Sequence, residues 1–172
     1  MRTLIVYESV FGTNRTIAEA IAAGMGDAAT VTLVDAETAA ATIDDQVDLL
    51  VVGGPNHKAG LPRPETRTEA AGEQGARAPA QRGLREWLDE LRLSRPGQPV
   101  AVWDTRMASP KILDTFDRSA RTIAKRLRRA GARLATDPEH FYSADGRGAL
   151  VDGEHDRARA WGTRLASLTL NA

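Results

Sequence analysis

The chain has 172 residues and a mass of 18.5 kDa, a length that predicts a single domain spanning residues 1–172. It contains no cysteine, which excludes disulfides, thiolate zinc sites and Cys-ligated iron–sulfur clusters. Basic and acidic side chains number 23 each, and no apolar run reaches the ~20 residues that span a bilayer. The N-terminal apolar run ends at Glu8 and does not resemble a signal peptide, so we expect a cytoplasmic protein without membrane insertion.

Apolar runs that predict strands recur along the whole chain. The predicted strands are 3–8, 31–34, 48–54, 99–104 and 132–142. The first and third are continuous apolar runs that stop at turn residues, as strands buried on both faces do. The fifth is the weakest, because Pro138 interrupts it.

Between these strands, apolar residues recur at helical spacing. The stripes are Ile17, Ile21 and Met25; Leu84, Trp87, Leu88 and Leu91; Phe116, Ile123 and Leu127; and Ala158, Trp161, Leu165 and Leu168. A further short helix is predicted at 36–43. By contrast, 61–83 is rich in Arg, Ala, Gly and Pro with little periodicity, so we predict a long functional or mobile loop there.

The alternation of strands and helices predicts an α/β fold. Right-handed crossovers then give a doubly wound, five-stranded parallel sheet of order 2-1-3-4-5 with helices on both faces. In such sheets the ligand lies outside the carboxyl ends of the strands, beside the first strand. The loops that should form a site are therefore 9–15, 54–64 and 104–111.

The loop after the first strand carries the clearest binding signal. Residues 7–16 read YESVFGTNRT, with short donor side chains at Ser9, Thr13, Asn14 and Thr16 and a glycine at Gly12. The glycine lets backbone amides turn toward one point, and the free N–H groups of a helix N-terminus favour an anion such as phosphate. A plain capped helix is the alternative, but four donors and a glycine exceed what capping needs.

Residues 5–21, IVYESVFGTNRTIAEAI, resemble the N-terminal signature of flavodoxins and flavodoxin-like FMN proteins. The apolar strand end, the hydroxyl of Ser9 and the small residue Gly12 all match. Family members usually read Gly-Asn-Thr where this chain reads Gly-Thr-Asn, and both orders donate hydrogen bonds. The resemblance implies the cofactor FMN, with its phosphate held by Ser9, Val10, Phe11, Gly12, Thr13 and Asn14.

By the same resemblance, two further loops would complete the FMN site. The second loop supplies Pro55, Asn56, His57 and Lys58, and the third supplies Asp104, Thr105 and Arg106. His57 stands where family members commonly stack an aromatic residue on the flavin ring, with an incidental surface turn as the alternative. The third loop would face the pyrimidine edge of the ring. Trp103 is expected to be a sheet residue packed under a helix and not a stacking residue.

The resemblance implies a redox protein that transfers electrons or reduces a small acceptor of quinone or porphyrinogen type. Four cations expected near the ring would stabilise an anionic reduced flavin, which favours the second activity: Lys58, Arg63, Arg67 and Arg106. A cofactor-free module that keeps the fold for protein contacts is the alternative function.

The partners that we expect are a redox protein or a small electron acceptor. The arginine-rich stretch 118–129 is interpreted as a solvated helix face whose cations complement the helix dipole, so no nucleic-acid partner is expected. No metal site is expected either, because the three histidines lie far apart in the sequence. A homodimer is an open alternative.

Overall fold

The computed structural model describes residues 1–56, 60–73, 76, 78, 80–108, 119–145 and 148–170. The strands are β1 (Arg2–Tyr7), β2 (Thr30–Asp35), β3 (Thr42–Ile43), β4 (Leu49–Pro55), β5 (Arg92–Leu93), β6 (Pro99–Met107), β7 (Arg133–Leu134) and β8 (Glu139–Ser143). The helices are α1 (Thr13–Met25), α2 (Pro64–Ala71), α3 (Leu84–Glu90), α4 (Ser119–Arg129) and α5 (Glu154–Leu170). Among the described helices, none has the length and apolar character needed to cross a membrane.

The main sheet is parallel and has the strand order β2-β1-β4-β6-β7, with β8 also paired to β6. β7 pairs with the start of β6 and β8 with its end, so the two together form the fifth strand of the sheet. Pro138 lies between them and has no N–H for the ladder, which explains the break. The structure therefore confirms the predicted order 2-1-3-4-5 and the interrupted fifth strand.

The strands read as continuous apolar runs because helices cover both faces of the sheet. Along β4, Leu49 and Val51 face one core, whereas Leu50 and Val52 face the other. The first core includes residues of α1 and α5, and the second includes residues of α3 and α4. Each core is close-packed around fully buried side chains, so the sheet is held from both sides.

Helices α1 and α5 approach each other at two glycines. A Cβ atom on Gly24 would lie 1.9 Å from the carbonyl oxygen of Arg159, and one on Gly162 would lie 2.1 Å from that of Ile21. Backbones therefore meet where no side chain could fit. The close contact fixes α1 against α5, and with it the loop that precedes α1.

The predicted helix at 36–43 is wrong. After a turn in which Thr38 and Ala39 donate backbone hydrogen bonds to the Asp35 carbonyl, the chain enters the short strand β3. This strand pairs in parallel with β5, and the two strands form a separate small sheet. The alanines favour a helix locally, but contacts with distant segments decide the conformation.

The segment 61–83 is not loop throughout, since it contains α2. Pro64 occupies the first helical position, where its missing N–H costs nothing, and the Arg63 amide donates to the Thr66 hydroxyl at 2.9 Å. The buried residues of α2 are Arg67 and Ala70. With no large apolar side chain on its inner face, this helix has no apolar stripe that a sequence pattern would reveal.

Candidate functional site

The loop between β1 and α1 turns sharply at Gly12. Its φ of 89° lies in the left-handed region that favours glycine, and α1 begins at the next residue. Within the described chain, the backbone amides of 11–14 donate to no protein acceptor, while the Arg15 amide donates to Ser9 Oγ at 3.2 Å. Ser9 thus accepts a hydrogen bond and keeps its own proton to donate. Free N–H groups at a helix N-terminus are donors that can bind an anion, and we call residues 9–14 the anion loop for this reason.

The side chain of Asn14 is held in place from the neighbouring strand β6. Its Oδ1 accepts hydrogen bonds from Trp103 Nε1, at 3.1 Å, and from the Thr105 hydroxyl. Since the oxygen is used in this way, the amide group of Asn14 is left to donate to a ligand. Trp103 is fully buried and packs edge-on against Trp161 of α5, with ring centroids 6.5 Å apart. The expectation that Trp103 is a sheet residue under a helix is confirmed.

A cavity of about 250 Å³ opens at the carboxyl edge of the sheet, next to this loop. The predicted residues that line it are Ser9, Val10 and Phe11 from the first loop, Thr13 and Asn14 at the start of α1, Pro55 and Asn56 at the end of β4, and Thr105 on β6. Its walls combine hydroxyl and amide groups near the start of α1 with apolar side chains. Cofactor sites commonly have this composition, with a few polar groups that fix the orientation of a ligand. The cavity suits an anionic group joined to an apolar one.

Two further residues, Met107 and Ser143, line the cavity and were not predicted from the sequence. Met107 lies within the predicted loop 104–111, but no polar group marks it as a binding residue. Ser143 ends β8, so the rule that ligands lie at the carboxyl ends of strands would have found it. His57 and Lys58 lie outside the described residues, and their roles stay predictions.

Asp104 and Arg106 do not line this cavity. The sequence placed the end of the fourth strand at Asp104, whereas β6 continues to Met107 and pairs with β4 and β8 over these residues. The predicted loop therefore begins too early. Since side chains alternate along a strand, Thr105 faces the cavity while its two neighbours point to the opposite face of the sheet.

On that opposite face, Asp104 is the centre of a buried polar cluster. Its carboxylate accepts from the Ala120 amide at 2.9 Å, from Arg106 Nε at 3.0 Å and from His140 Nδ1 at 2.7 Å. Burial alone would raise the pKa of Asp104, but the hydrogen bonds from His140 and Ala120 and the nearby Arg106 charge lower it below its ordinary value. The cluster fixes α4 to β6. Among the described residues, no group of His, Asp and Glu could hold a metal ion.

A second buried cluster lies behind the anion loop and contains Arg67, which the sequence placed near a flavin ring. Arg67 is 2% exposed, and its guanidinium lies 2.9 Å from Glu86 and 3.6 Å from Glu8. Glu8 Oε2 accepts from the Leu84 amide at 2.8 Å. A Cβ on Gly83 would lie 2.4 Å from Arg67 Nη1, so the cluster requires a glycine there. The sequence expectation for Arg67 is wrong because ion pairs in the interior hold it away from the cavity.

Burial raises the pKa of Glu8 to about 7. The hydrogen bond from Leu84 and the charge of Arg67 both favour the ionised carboxylate, but they do not offset its loss of hydration. Glu8 is therefore a carboxyl group that titrates near neutral pH directly beside Ser9 of the anion loop.

No family model matches the sequence, and no curated protein sequence matches it. Solved structures do match over almost the full chain. A flavodoxin from the domain Archaea has a TM-score of 0.66 at 16% identity and covers 99% of both chains. Flavodoxin 1 from Bacillus cereus has a TM-score of 0.64 at 12% identity, covering 99% of this chain and 98% of its own.

A WrbA-like flavodoxin from Agrobacterium tumefaciens has a TM-score of 0.59 at 18% identity, covering 99% of this chain and 98% of its own. These TM-scores establish the similarity of the fold, and because the identities are low the chemistry must be argued from the site. The strand order, the position of the anion loop and these structural similarities agree with one another. The chain has the flavodoxin-like fold that its N-terminal segment predicted.

Proposed function

We propose that this chain binds FMN and acts as a flavodoxin-like redox protein. The observation that carries the proposal is the turn at Gly12, where the amides of 11–14 donate to no acceptor among the described residues. The loop that carries these amides lines a cavity whose surface is largely apolar. A phosphate monoester joined to a flat, mostly apolar ring matches both features. The flavodoxins among the similar structures support the same assignment.

The residues divide into two roles in this proposal. The amides of 11–14 and the polar groups of Ser9, Thr13 and Asn14 hold the phosphate, and the apolar side chains of the cavity shield the ring from water. FMN, when bound, supplies the electron-transfer chemistry, while the protein supplies position and electrostatics. The hydrogen bonds from Trp103 and Thr105 keep the Asn14 amide group aimed at the phosphate.

A finer proposal is that the reduced protein passes electrons to a small acceptor of quinone or porphyrinogen type. Met107 supports it, because this apolar side chain is 55% exposed at the cavity and thioethers pack well against aromatic rings. The argument from nearby cations is weaker than the sequence indicated. Arg67 and Arg106 are both buried and paired with carboxylates away from the cavity.

The test is a titration of the purified protein with FMN, followed by flavin fluorescence, with riboflavin as the matched ligand that lacks phosphate. FMN should bind, inorganic phosphate should compete, and riboflavin should bind much more weakly. Each lost charge-assisted hydrogen bond costs about 1.5–3 kcal/mol.

The variant Asn14→Asp keeps the acceptor for Trp103 and Thr105 but replaces the donor, so it should weaken FMN binding more than riboflavin binding. Equal affinity for both flavins would contradict the phosphate assignment, and failure to bind either would favour the cofactor-free module.

A further inference from the structure

A second, smaller cavity lies behind the anion loop. It has a volume of about 20 Å³, enough for one water molecule, and its walls include Glu8, Asp35 and Arg67. Ser9 and Val10 line this inner cavity and also the larger outer one. The loop is therefore the wall between the two cavities. A charge on Glu8 lies behind the same loop residues that a ligand would meet in front.

Three polar atoms of the inner cluster make no hydrogen bond within the described chain, although all three are buried. They are Glu8 Oε1 and the Nε and Nη1 atoms of Arg67. Glu8 is 4% exposed and Arg67 is 2% exposed, so bulk solvent hardly reaches either group. The Oε1 to Nη1 separation of 3.6 Å is an ion pair but too long for a hydrogen bond. Among the described protein groups, Glu8 Oε1 therefore has no hydrogen-bond donor and is stabilised only by the charge of Arg67.

Within the described part of the chain, the charges that act on Glu8 come from three elements. Arg67 on α2 is the cation in this set, whereas Glu86 on α3 and Asp35 at the end of β2 are acidic. Arg67 also pairs with Glu86 at 2.9 Å, so one guanidinium serves two carboxylates. When Glu8 is ionised, these three side chains, Glu8, Arg67 and Glu86, carry one net negative charge. When Glu8 is protonated, they carry none.

We propose that Glu8 takes up a proton from solvent when a phosphate monoester binds to the anion loop. This inference rests on the proposed function, because it concerns the same loop. A dianion in the outer cavity and the buried Glu8 carboxylate would repel each other across the loop that lines both cavities, and the burial of Glu8 limits screening by water. Protonation of the Glu8 carboxyl removes that repulsion and leaves Arg67 to balance Glu86. Glu8 would then set the charge state that the site accepts.

The acidity that follows from this environment agrees with the proposal. The pKa of Glu8 is raised to about 7, so at neutral pH only a small further rise is needed to protonate it. Linkage requires reciprocity: if the ligand raises the proton affinity of Glu8, a proton on Glu8 raises the affinity for the ligand by the same factor.

The experiment is calorimetric titration of the 172-residue chain with FMN at pH 8 in buffers of different ionisation enthalpy, which counts the protons taken up. A phosphate monoester with its second pKa near ~6 is already a dianion at this pH and contributes almost no proton. If FMN raises the proton affinity of Glu8 tenfold, its protonated fraction goes from about one tenth to about one half. We therefore expect uptake of about 0.4 proton per FMN bound.

The variant Glu8→Gln should bind FMN with no proton uptake. Its matched control is Glu19→Gln, which removes an exposed carboxylate from α1 and should keep the uptake of the parent protein. If Glu8→Gln does not fold, the ¹³C chemical shift of the Glu8 carboxyl in the parent protein, with and without FMN, reports the same protonation directly. FMN binding without proton uptake by the parent, or unchanged uptake in Glu8→Gln, would overturn the inference and leave the proposed function standing. A protein that does not bind FMN at all would overturn both.

Discussion

At the scale of single residues, the anion loop depends on one backbone conformation. Gly12 has a φ of 89°, and a Cβ built on it would meet no atom within 4 Å. A substitution there causes no steric clash. It costs only the energy of placing a non-glycine residue in the left-handed conformation, about 1–2 kcal/mol. We expect Gly12→Ala to weaken FMN binding severalfold, because the amides of 11–14 shift as the chain relieves this cost. Fluorescence titration with FMN and urea denaturation measure the two effects.

The matched control is Gly131→Ala. Gly131 has a φ of 95°, again with no atom within 4 Å of the added Cβ, but it follows α4, away from the cavity. The Gly131→Ala variant should lose about as much stability as Gly12→Ala and keep the FMN affinity of the parent protein. Equal loss of affinity in both variants would show that general destabilisation, and not the geometry of the loop, is responsible.

Glu8 also makes the stability of the ligand-free protein depend on pH. Its folded pKa of about 7 lies above the ordinary value of 4.5, so between these values the folded state binds a proton that the unfolded state releases. The resulting stabilisation is complete below the lower value and is lost as the pH rises through the higher one. From pH 5.5 to pH 8 the parent protein should lose about 2 kcal/mol relative to Glu8→Gln.

Urea denaturation of both proteins at the two pH values measures this difference. Comparing the variant with the parent removes the contribution of groups such as Asp104, whose lowered pKa acts in the opposite direction. A constant difference between the two proteins from pH 5.5 to pH 8 would mean that Glu8 does not change its ionisation in this range.

At the scale of helices and strands, the crossing of α1 and α5 positions the anion loop. Alanine at position 162 would place its Cβ 2.1 Å from the Ile21 carbonyl oxygen, so the helices would have to move apart. We expect Gly162→Ala to destabilise the protein by about 1–3 kcal/mol, although alanine has the higher helix propensity. Arg159→Ala, at an exposed position of the same helix, is the control for a change to alanine that adds no atom at the helix contact. Urea denaturation measures both, and a stabilised Gly162→Ala would mean that the helices do not meet so closely.

Some elements of the fold can be predicted from the sequence and others cannot. β4 could be predicted because burial on both faces leaves an unbroken apolar run, Leu49 to Val52. The segment 36–43 could not, because side chains from distant positions hold its carbonyl groups. Trp87 Nε1 donates to the Ala40 oxygen, and Arg82 Nη1 donates to that of Ala39. These partners lie more than forty residues away, so no local pattern contains them.

The candidate site could be predicted from the sequence only in part, because some of its residues depend on where an element ends or packs. The donors of the first loop were predictable because a helix N-terminus after a buried strand has a fixed chemistry, whichever ligand it holds. The place of Asp104 and Arg106 was not, since it depends on whether β6 ends at residue 104 or continues to Met107. That end is decided by pairing with β8, a strand more than thirty residues later. The burial of Arg67 against Glu8 and Glu86 likewise depends on where α2 packs.

At the scale of the whole molecule, ligand binding and folding are one equilibrium. A ligand that binds the folded state alone stabilises it by about 2.7 kcal/mol when its concentration is a hundredfold above Kd. For a chain of this size, 1 kcal/mol corresponds to about 2–4 °C in Tm, so saturating FMN should raise Tm by about 5–10 °C. Riboflavin at the same concentration should raise it much less, because it lacks the phosphate that the amides of 11–14 would hold. Thermal unfolding followed by circular dichroism measures both shifts.

The variant Asn14→Asp should show a smaller rise in Tm with FMN than the parent protein, since its carboxylate repels the phosphate. A Tm that FMN leaves unchanged would indicate that the chain uses its flavodoxin-like fold without a flavin.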